Sequence, residues 1–119
     1  MTENVALGVP CARIHEGDVL EPVQIPVTRE TLVRYAGAST DFNPIHWSDR
    51  AARAAGMDGV IAHGMWTMGA ALGVVVHWVA DPGRIVSQRA RFVRPVLVPD
   101  TDEGTPVSYT HLTLPTSDL

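Results

Sequence analysis

The sequence has no lysine and only one cysteine, and each shortage narrows what the chain can be. All nine cationic residues are arginines, and the net charge is −4. Without a basic cluster, binding to nucleic acid or to an acidic membrane surface is not expected. Cys11 has no second cysteine to pair with, which excludes a disulfide framework and favours a reducing cytoplasm. The first residues, MTENVALGVPC, have neither a basic start nor a long apolar run, so we expect no signal peptide.

The residues that are present suit one small globular domain. Hydrophobic residues make up 45% and charged residues 18% of the 119 positions, as in soluble folded proteins, and this length allows at most one domain. Residues 17–28, GDVLEPVQIPVT, are typical of an extended segment, which Pro22 and Pro26 restrict to an edge or irregular strand. Thr28 can cap the predicted helix RETLVRYAGA, residues 29–38. The buried side of that helix is expected to carry Leu32, Tyr35 and Ala36.

Residues 49–56, DRAARAAG, predict a short helical turn that ends at Gly56. After it, residues 59–80, GVIAHGMWTMGAALGVVVHWVA, form the longest apolar stretch, with the small-xxx-small pair Gly69 and Gly73. A membrane span is the alternative here, but a helix starting near Gly64 has about 16 residues, or ~24 Å, against a ~30 Å hydrocarbon core. A helix that is apolar on all sides and too short to span is expected to be wrapped in protein.

The end of the chain has two parts of different character. Residues 84–98, RIVSQRARFVRPVLV, alternate partly between apolar and polar positions, which predicts a strand with Val86, Ala90 and Phe92 towards a core. Residues 106–119, PVSYTHLTLPTSDL, contain no alanine, glycine or arginine, although the preceding residues are rich in all three. We therefore divide the chain into a domain at 1–105 and an atypical tail at 106–119 that is not native to it.

The loop STDFNPIHWSD, residues 39–49, carries the first candidate chemistry. Pro44 disfavours helical backbone at Asn43, whose side chain suits an Asx-type turn, so DFNPIH is expected to bend. The bend can direct Asp41 and His46 into the same space. A carboxylate and an imidazole that share a water molecule can move protons in either direction. The plainer interpretation is an Asp that caps a turn and a His that packs.

Gly64 is the second candidate, because it lies where the apolar helix is predicted to begin. The first amides of a helix have no internal partner and lie at the positive end of its dipole. A glycine there allows a carbonyl oxygen to approach, as an oxyanion site for a thioester enolate requires. The plainer interpretation is a tight entry into the helix. Hydration of a conjugated thioester needs an activated water, a proton for C2 and a held enolate oxygen, which Asp41, His46 and the Gly64 amide would supply.

Taken with these residues, YAGASTDFNPIHWSDRAARAAG and GVIAHGMWTMG resemble the hydratase motif of the MaoC-like family of (R)-specific enoyl-CoA hydratases and (3R)-hydroxyacyl-thioester dehydratases. FVRPVLVPDT is similar to that family's strand after its central helix. Within the family the sequence most resembles the catalytic B-type dehydratase subunit of actinobacterial fatty acid and mycolic acid elongation. The resemblance covers about residues 12–104.

The resemblance implies an α+β hot-dog fold, in which an antiparallel sheet wraps a long central helix from about Gly64 to Ala80. It implies that Asp41 and His46 form the catalytic dyad, that Asn43 supports the loop and that Gly64 gives the oxyanion N–H. An acyl-CoA or an acyl carrier protein thioester is the expected substrate, with no metal or redox cofactor. The expected assembly is a homodimer, or a heterodimer with a related hot-dog subunit.

Two departures from the family pattern matter. Thr40 stands where the family usually has glycine, and a β-branched residue disfavours positive φ. The family's domains continue with further strands after PVLVPDT, which the atypical tail replaces, so we expect the domain as it stands to be incomplete and poorly stable.

Other residues and functions remain open at this point. His63 can order the loop or help bind the thioester, and Trp66 can line an acyl tunnel, but both also suit a core. A metal held by Asp41, His46 and His63 has suitable ligand types without compact ligand spacing. The alternative functions are a non-catalytic acyl-binding subunit of a heterodimeric dehydratase and a hot-dog thioesterase.

Overall fold

The computed structural model describes residues 14–111, so the predictions for Cys11 and the first residues lie outside it. The described elements are β1 (Val19–Val27), α1 (Arg29–Ser39), α2 (Asp49–Ala54), α3 (Gly64–Val79) and β2 (Thr105–His111). Short 3₁₀ turns lie at Pro44–His46 and Pro82–Arg84. The strands β1 and β2 pair antiparallel, and the register of β1 is irregular between Val19 and Val23. This irregular strand matches the prediction from the prolines.

The first helix forms where its capping residues predict. The Thr28 side chain accepts a hydrogen bond from the Thr31 amide, and the Thr31 hydroxyl accepts one from the Thr28 amide, which makes a reciprocal cap. On α1, Leu32 and Ala36 are buried, whereas Tyr35 is half-buried. The helix therefore packs on the predicted side.

The core joins four segments that are distant in sequence. Its buried side chains are Val27, Leu32, Val60, Ala62 and Val98. Residues 60–62 run antiparallel to residues 96–98, because the Ala62 amide donates to Val96 at 2.9 Å and the Val98 amide donates to Val60 at 2.9 Å. This pairing fixes the segment that leads into α3.

The long apolar helix begins at Gly64, as predicted, and ends at Val79, with Ala80 in left-handed backbone after it. Only Val79 of its 16 residues is buried. In the described part of the chain the sheet has two strands and leaves most of α3 half-exposed. No helix within residues 14–111 is both long and apolar enough to cross a bilayer.

The strand predicted at residues 84–98 is wrong for most of its length. Residues 85–96 have no regular strand, and only Leu97 makes an isolated bridge, to Ile61. Val86 is 98% exposed and Phe92 56% exposed. Alternation alone does not make a strand, because each strand needs a neighbour for its backbone hydrogen bonds. Among the described residues, β1 already pairs with β2.

The boundary predicted after residue 105 falls within β2. Gly104 precedes that strand with φ +66°, and a Cβ there would collide with the carbonyl of Val27, so a glycine is needed where the chain turns back along β1. Pairing with β1 does not test the origin of residues 106–119, and their separation from the domain stays a prediction.

Candidate active site

The loop after α1 bends through two successive side-chain turns. Thr40 ends the helix with φ +61°, the left-handed conformation. The Asn43 amide then donates to Oδ1 of Asp41 at 3.1 Å, and the Ile45 amide donates to Oδ1 of Asn43 at 3.2 Å. Each is an Asx turn, which stiffens a bend through short local bonds. Asn43 therefore lies where a loop-supporting role was predicted.

The bend brings the predicted acid and imidazole together. Nε2 of His46 lies 3.8 Å from Oδ2 of Asp41. His46 is 8% exposed, whereas half of the Asp41 side chain remains accessible. The separation is too long for a direct hydrogen bond, but one water molecule can reach both atoms.

A backbone carbonyl fixes the orientation of the His46 ring. Nδ1 of His46 lies 2.7 Å from the carbonyl oxygen of Ile61. A carbonyl only accepts, so Nδ1 carries the proton in the neutral ring and donates it to Ile61. The other nitrogen, Nε2, then presents a lone pair towards Asp41. The imidazole is therefore oriented to accept a proton from a bound water.

Gly64 lines the same cavity as His46. This cavity has a volume of about 320 Å³, and its lining includes Thr67, Phe92 and Arg94. The N-cap of α3 is His63, whose side chain makes no capping hydrogen bond, so the first amides of this helix are left for a ligand or for water. A Cβ at Gly64 would lie 3.3 Å from Cζ of Phe92. The Phe92 ring therefore bounds the cavity beside the glycine.

His63 lies against both Asp41 and His46. It is 1% exposed, its ring stacks on His46 with centroids 3.8 Å apart, and Nε2 lies 3.2 Å from the carbonyl oxygen of Asp41. Burial lowers the pKa of His63, and the charge of His46 lowers it further, while the contacts with Asp41 oppose both. The sequence predicted His63 as a loop-ordering or thioester-binding residue, and the structure places it against the loop.

Trp66 lies in a different place from the His46 cavity. It packs against the core and lines a second, larger cavity of about 550 Å³ together with Tyr35 and Arg34. The structure therefore brings Asp41, His46 and His63 together, with Gly64 in the cavity beside His46, but places Trp66 in the second cavity.

The three clustered side chains also offer ligand types that suit a metal ion. One ligand atom from each of Asp41, His46 and His63 lies within 4.8 Å of the others, although the sequence shows no compact ligand spacing. The two rings are stacked with planes 21° apart, and imidazole ligates through lone pairs in the ring plane. Nδ1 of His46 is also engaged by Ile61. The rings would have to rotate before both could bind one ion, so this donor set does not fit a metal as it stands.

One supporting pair was not apparent in the sequence. Nη2 of Arg29 lies 3.0 and 3.1 Å from the two carboxylate oxygens of Asp49, and Nε of Arg29 donates to the carbonyl of Val98. The Val60 amide donates to Oδ1 of Asp49. These bonds lower the pKa of Asp49, the backbone bond from Val60 most and the Arg29 bond next. No local pattern relates Arg29 to Asp49, so only the fold reveals the pair.

Comparison with known proteins places these features in a family. A family model described as "MaoC like domain" matches residues 11–106. The chain is 40% identical over 75 residues to 3-hydroxyacyl-thioester dehydratase X of Mycobacterium tuberculosis, which covers 63% of this chain and 26% of that protein. It is 34% identical over 86 residues to the mitochondrial 3-hydroxyacyl-[acyl-carrier-protein] dehydratase of Arabidopsis thaliana, covering 71% of this chain and 49% of that protein.

A solved structure shows the same fold. A MaoC-like dehydratase superposes with a TM-score of 0.77 at 37% identity, over 83% of this chain and 30% of that one. Together with the antiparallel strands and long helix described above, this likeness confirms the predicted α+β hot-dog fold. The chain spans about a quarter to a half of the length of these three proteins.

Proposed function

Since this chain belongs to the MaoC-like domain family, we propose that it catalyses the reversible hydration of a trans-2-enoyl thioester to a (3R)-hydroxyacyl thioester. The thioester is carried by CoA or by an acyl carrier protein. Asp41 and His46 are the catalytic residues, and Gly64 supplies the oxyanion N–H. As the family resemblance implies, the active form is a dimer of this chain or a heterodimer with a related hot-dog subunit.

The reaction adds the elements of one water molecule across C2 and C3. A water held by Asp41 and His46 attacks C3, and its proton passes to the lone pair on Nε2 of His46. Electrons of the double bond move to the thioester oxygen, which forms an enolate. The imidazolium then gives its proton to C2 as the enolate collapses, so the enzyme ends as it began. Dehydration is the same sequence in reverse.

Each charge that develops during this reaction has a group in the protein that stabilises it. Asp41 lies close enough to Nε2 to stabilise the imidazolium. The enolate oxygen accepts a hydrogen bond from the Gly64 amide at the start of α3, where the dipole favours negative charge. Ile61 keeps Nδ1 of His46 protonated throughout, so only Nε2 exchanges protons.

One observation carries the proposal. The Asp41 carboxylate faces the bare nitrogen of His46 at 3.8 Å, and His46 and Gly64 line one cavity. The names of the M. tuberculosis and A. thaliana relatives, both 3-hydroxyacyl dehydratases, support the same reaction class. A subunit that only bound an acyl chain would not need a proton-transferring pair at the edge of that cavity, which His46 lines.

The test is hydration of crotonyl-CoA, followed by loss of enoyl-thioester absorbance, for the wild type and for Asp41→Asn and His46→Gln. Each substitution is expected to lower kcat by about 100-fold or more, the usual contribution of acid–base catalysis. His77→Gln, on an exposed histidine of α3, is the matched control and should keep full activity. Full activity in either dyad variant would overturn the assignment. Binding of crotonyl-CoA without turnover by the wild type, alone and mixed with a related hot-dog subunit, would favour the acyl-binding alternative.

A further inference from the structure

His63 is buried against both members of the dyad, although the proposed reaction gives it no proton to move. Its ring contacts the face of His46, the backbone of Asp41 and the ring of Tyr35, whose edge meets it at a centroid distance of 4.8 Å. These are the titratable residues that the described part of the chain places against it. A side chain held from three elements is set in one orientation.

The hydrogen bonds of His63 define its tautomer. Nε2 lies 3.2 Å from the carbonyl of Asp41, which can only accept, so Nε2 carries the proton. Nδ1 is then a bare acceptor, and among the described residues this buried atom has no hydrogen-bond partner. A second proton would place an unpaired donor and a charge in a buried site, which is unfavourable.

We propose that His63 is a positioning residue for the dyad: its neutral ring holds the plane of His46 by stacking, and its Nε2–H holds the Asp41 turn. This inference rests on the proposed hydratase function. The stack prevents the His46 ring from tilting away from the line between Ile61 and Asp41. The bond to the Asp41 carbonyl fixes the start of the bend that aims the carboxylate. His63 therefore sets the orientation of both Asp41 and His46, whose Oδ2 and Nε2 atoms lie 3.8 Å apart.

The proposal requires opposite tautomers for His46 and His63, which distinguishes it from a role in packing alone. His46 is protonated on Nδ1 and His63 on Nε2, because each donates to a different carbonyl, of Ile61 and of Asp41. A neutral His63 also leaves the stacked face free of positive charge when His46 takes up its catalytic proton. A residue that merely filled space would impose neither condition.

Two variants separate the two contacts. His63→Phe keeps a flat ring that can stack on His46 but loses the donor to Asp41, whereas His63→Gln keeps an N–H donor but loses the stack. Each is expected to lower kcat for crotonyl-CoA by about tenfold, which corresponds to ~1.4 kcal/mol, with KM changed by less than about threefold. His77→Gln is again the control, and thermal unfolding checks that each variant is folded.

Nitrogen-15 NMR of labelled histidines supplies a readout that does not need turnover. The wild type should show His46 as the Nδ1–H tautomer and His63 as the Nε2–H tautomer. The His46 signal should move towards mixed tautomers in His63→Gln, which loses the stack, and should stay unchanged in His63→Phe, which keeps it. Identical tautomers for the two rings in the wild type would overturn the proposal. So would unchanged kcat in both variants, or a lowered kcat in His63→Gln with the His46 tautomer intact, which would assign His63 to substrate contact.

The Asp41 and His46 variants distinguish a failure of the proposed hydratase function from a failure of the positioning role of His63. If Asp41→Asn and His46→Gln abolish hydration while both His63 variants retain it, the hydratase assignment stands and the positioning role fails. If the dyad variants retain activity, the proposed mechanism fails, and the tautomers still decide whether His63 orients His46.

Discussion

The guanidinium of Arg29 and the carboxylate of Asp49 form a bifurcated ion pair that joins the start of α1 to the start of α2. Nη2 contacts both carboxylate oxygens, at 3.0 and 3.1 Å. Asp49 also accepts from the Val60 amide, and Arg29 donates to Val98. Both segments of the 60–62 and 96–98 pairing are therefore held to the helices. Ile61, which orients His46, lies within that pairing.

Removal of this carboxylate should destabilise the domain. Asp49→Ala leaves the Val60 amide and the Arg29 guanidinium without their acceptor, so the free energy of unfolding should fall. The free energy of urea unfolding measures the effect. Glu30→Ala is the control, because its pair with Arg34 is far more exposed, at 72% and 79%, and should be worth less than about 1 kcal/mol. Equal losses in the two variants would contradict the tying role of Asp49.

The same pair predicts a loss of stability in acid. The pKa of Asp49 is lower in the folded chain than its ordinary 3.8, so the unfolded chain takes up the proton first as the pH falls. The stabilisation is fully present above about pH 4 and is lost as the pH falls through the folded pKa. Urea midpoints measured from neutral pH downward should fall in that range. They should fall less steeply in Asp49→Asn, and an identical slope in that variant would argue against the lowered pKa.

The lowered pKa of His63 predicts a second, separate pH range in which the folded chain loses stability. Its folded pKa lies below the ordinary 6.5 because the ring is buried, so the unfolded chain again binds the proton first. The contribution of neutral His63 is fully present above about pH 6.5 and declines as the pH falls below it. His63→Gln should flatten the change in urea midpoint between about pH 8 and about pH 5.5. A slope equal to that of the wild type would show that His63 does not resist protonation.

Thr40 offers a test of local strain. It takes φ +61°, a conformation that costs a β-branched residue ~1–2 kcal/mol. Glycine avoids this strain, but it loses more backbone entropy on folding, which destabilises the folded chain by ~0.5–1 kcal/mol. Thr40→Gly should therefore leave the free energy of unfolding unchanged or raise it by up to about 1.5 kcal/mol. Ala38→Gly, two residues earlier within α1, should lower it by about 0.5–1 kcal/mol. The free energies of unfolding decide, and destabilisation by both glycines would show that Thr40 is unstrained.

Much of the site was predictable because its determinants are local. The Thr28 cap, the bend forced by Asn43 and Pro44 and the helix start at Gly64 each depend on residues within a few positions of one another. Thr40 was also flagged from its position in the motif. The backbone keeps the positive φ despite the β-branched side chain, because the Asx turns after it determine the bend.

The remaining features depend on contacts between distant segments. The stacking of His63 on His46 joins residues 17 apart, because the segment that leads into α3 lies against the loop. The Arg29–Asp49 pair likewise needs two helices in register. The strand predicted at 84–98 failed for the opposite reason, since its alternation is local but a strand needs a partner. Proximity of this kind is a property of the fold and leaves no periodic trace in the sequence.

Gly64 gives the sharpest test of the oxyanion assignment. Gly64→Ala places a Cβ 3.3 Å from the Phe92 ring. If the thioester carbonyl binds the Gly64 amide as proposed, the methyl group also blocks its approach, so kcat/KM for crotonyl-CoA should fall by about 100-fold, as for other lost oxyanion donors. Two causes are then separable. If the loss arises only from the contact with Phe92, the double variant Gly64→Ala with Phe92→Ala should recover activity to the level of Phe92→Ala alone. If the carbonyl must approach the Gly64 amide, the double variant should stay inactive, because the methyl group still blocks the oxygen. We expect the second result, and full recovery would assign Gly64 to packing instead of catalysis.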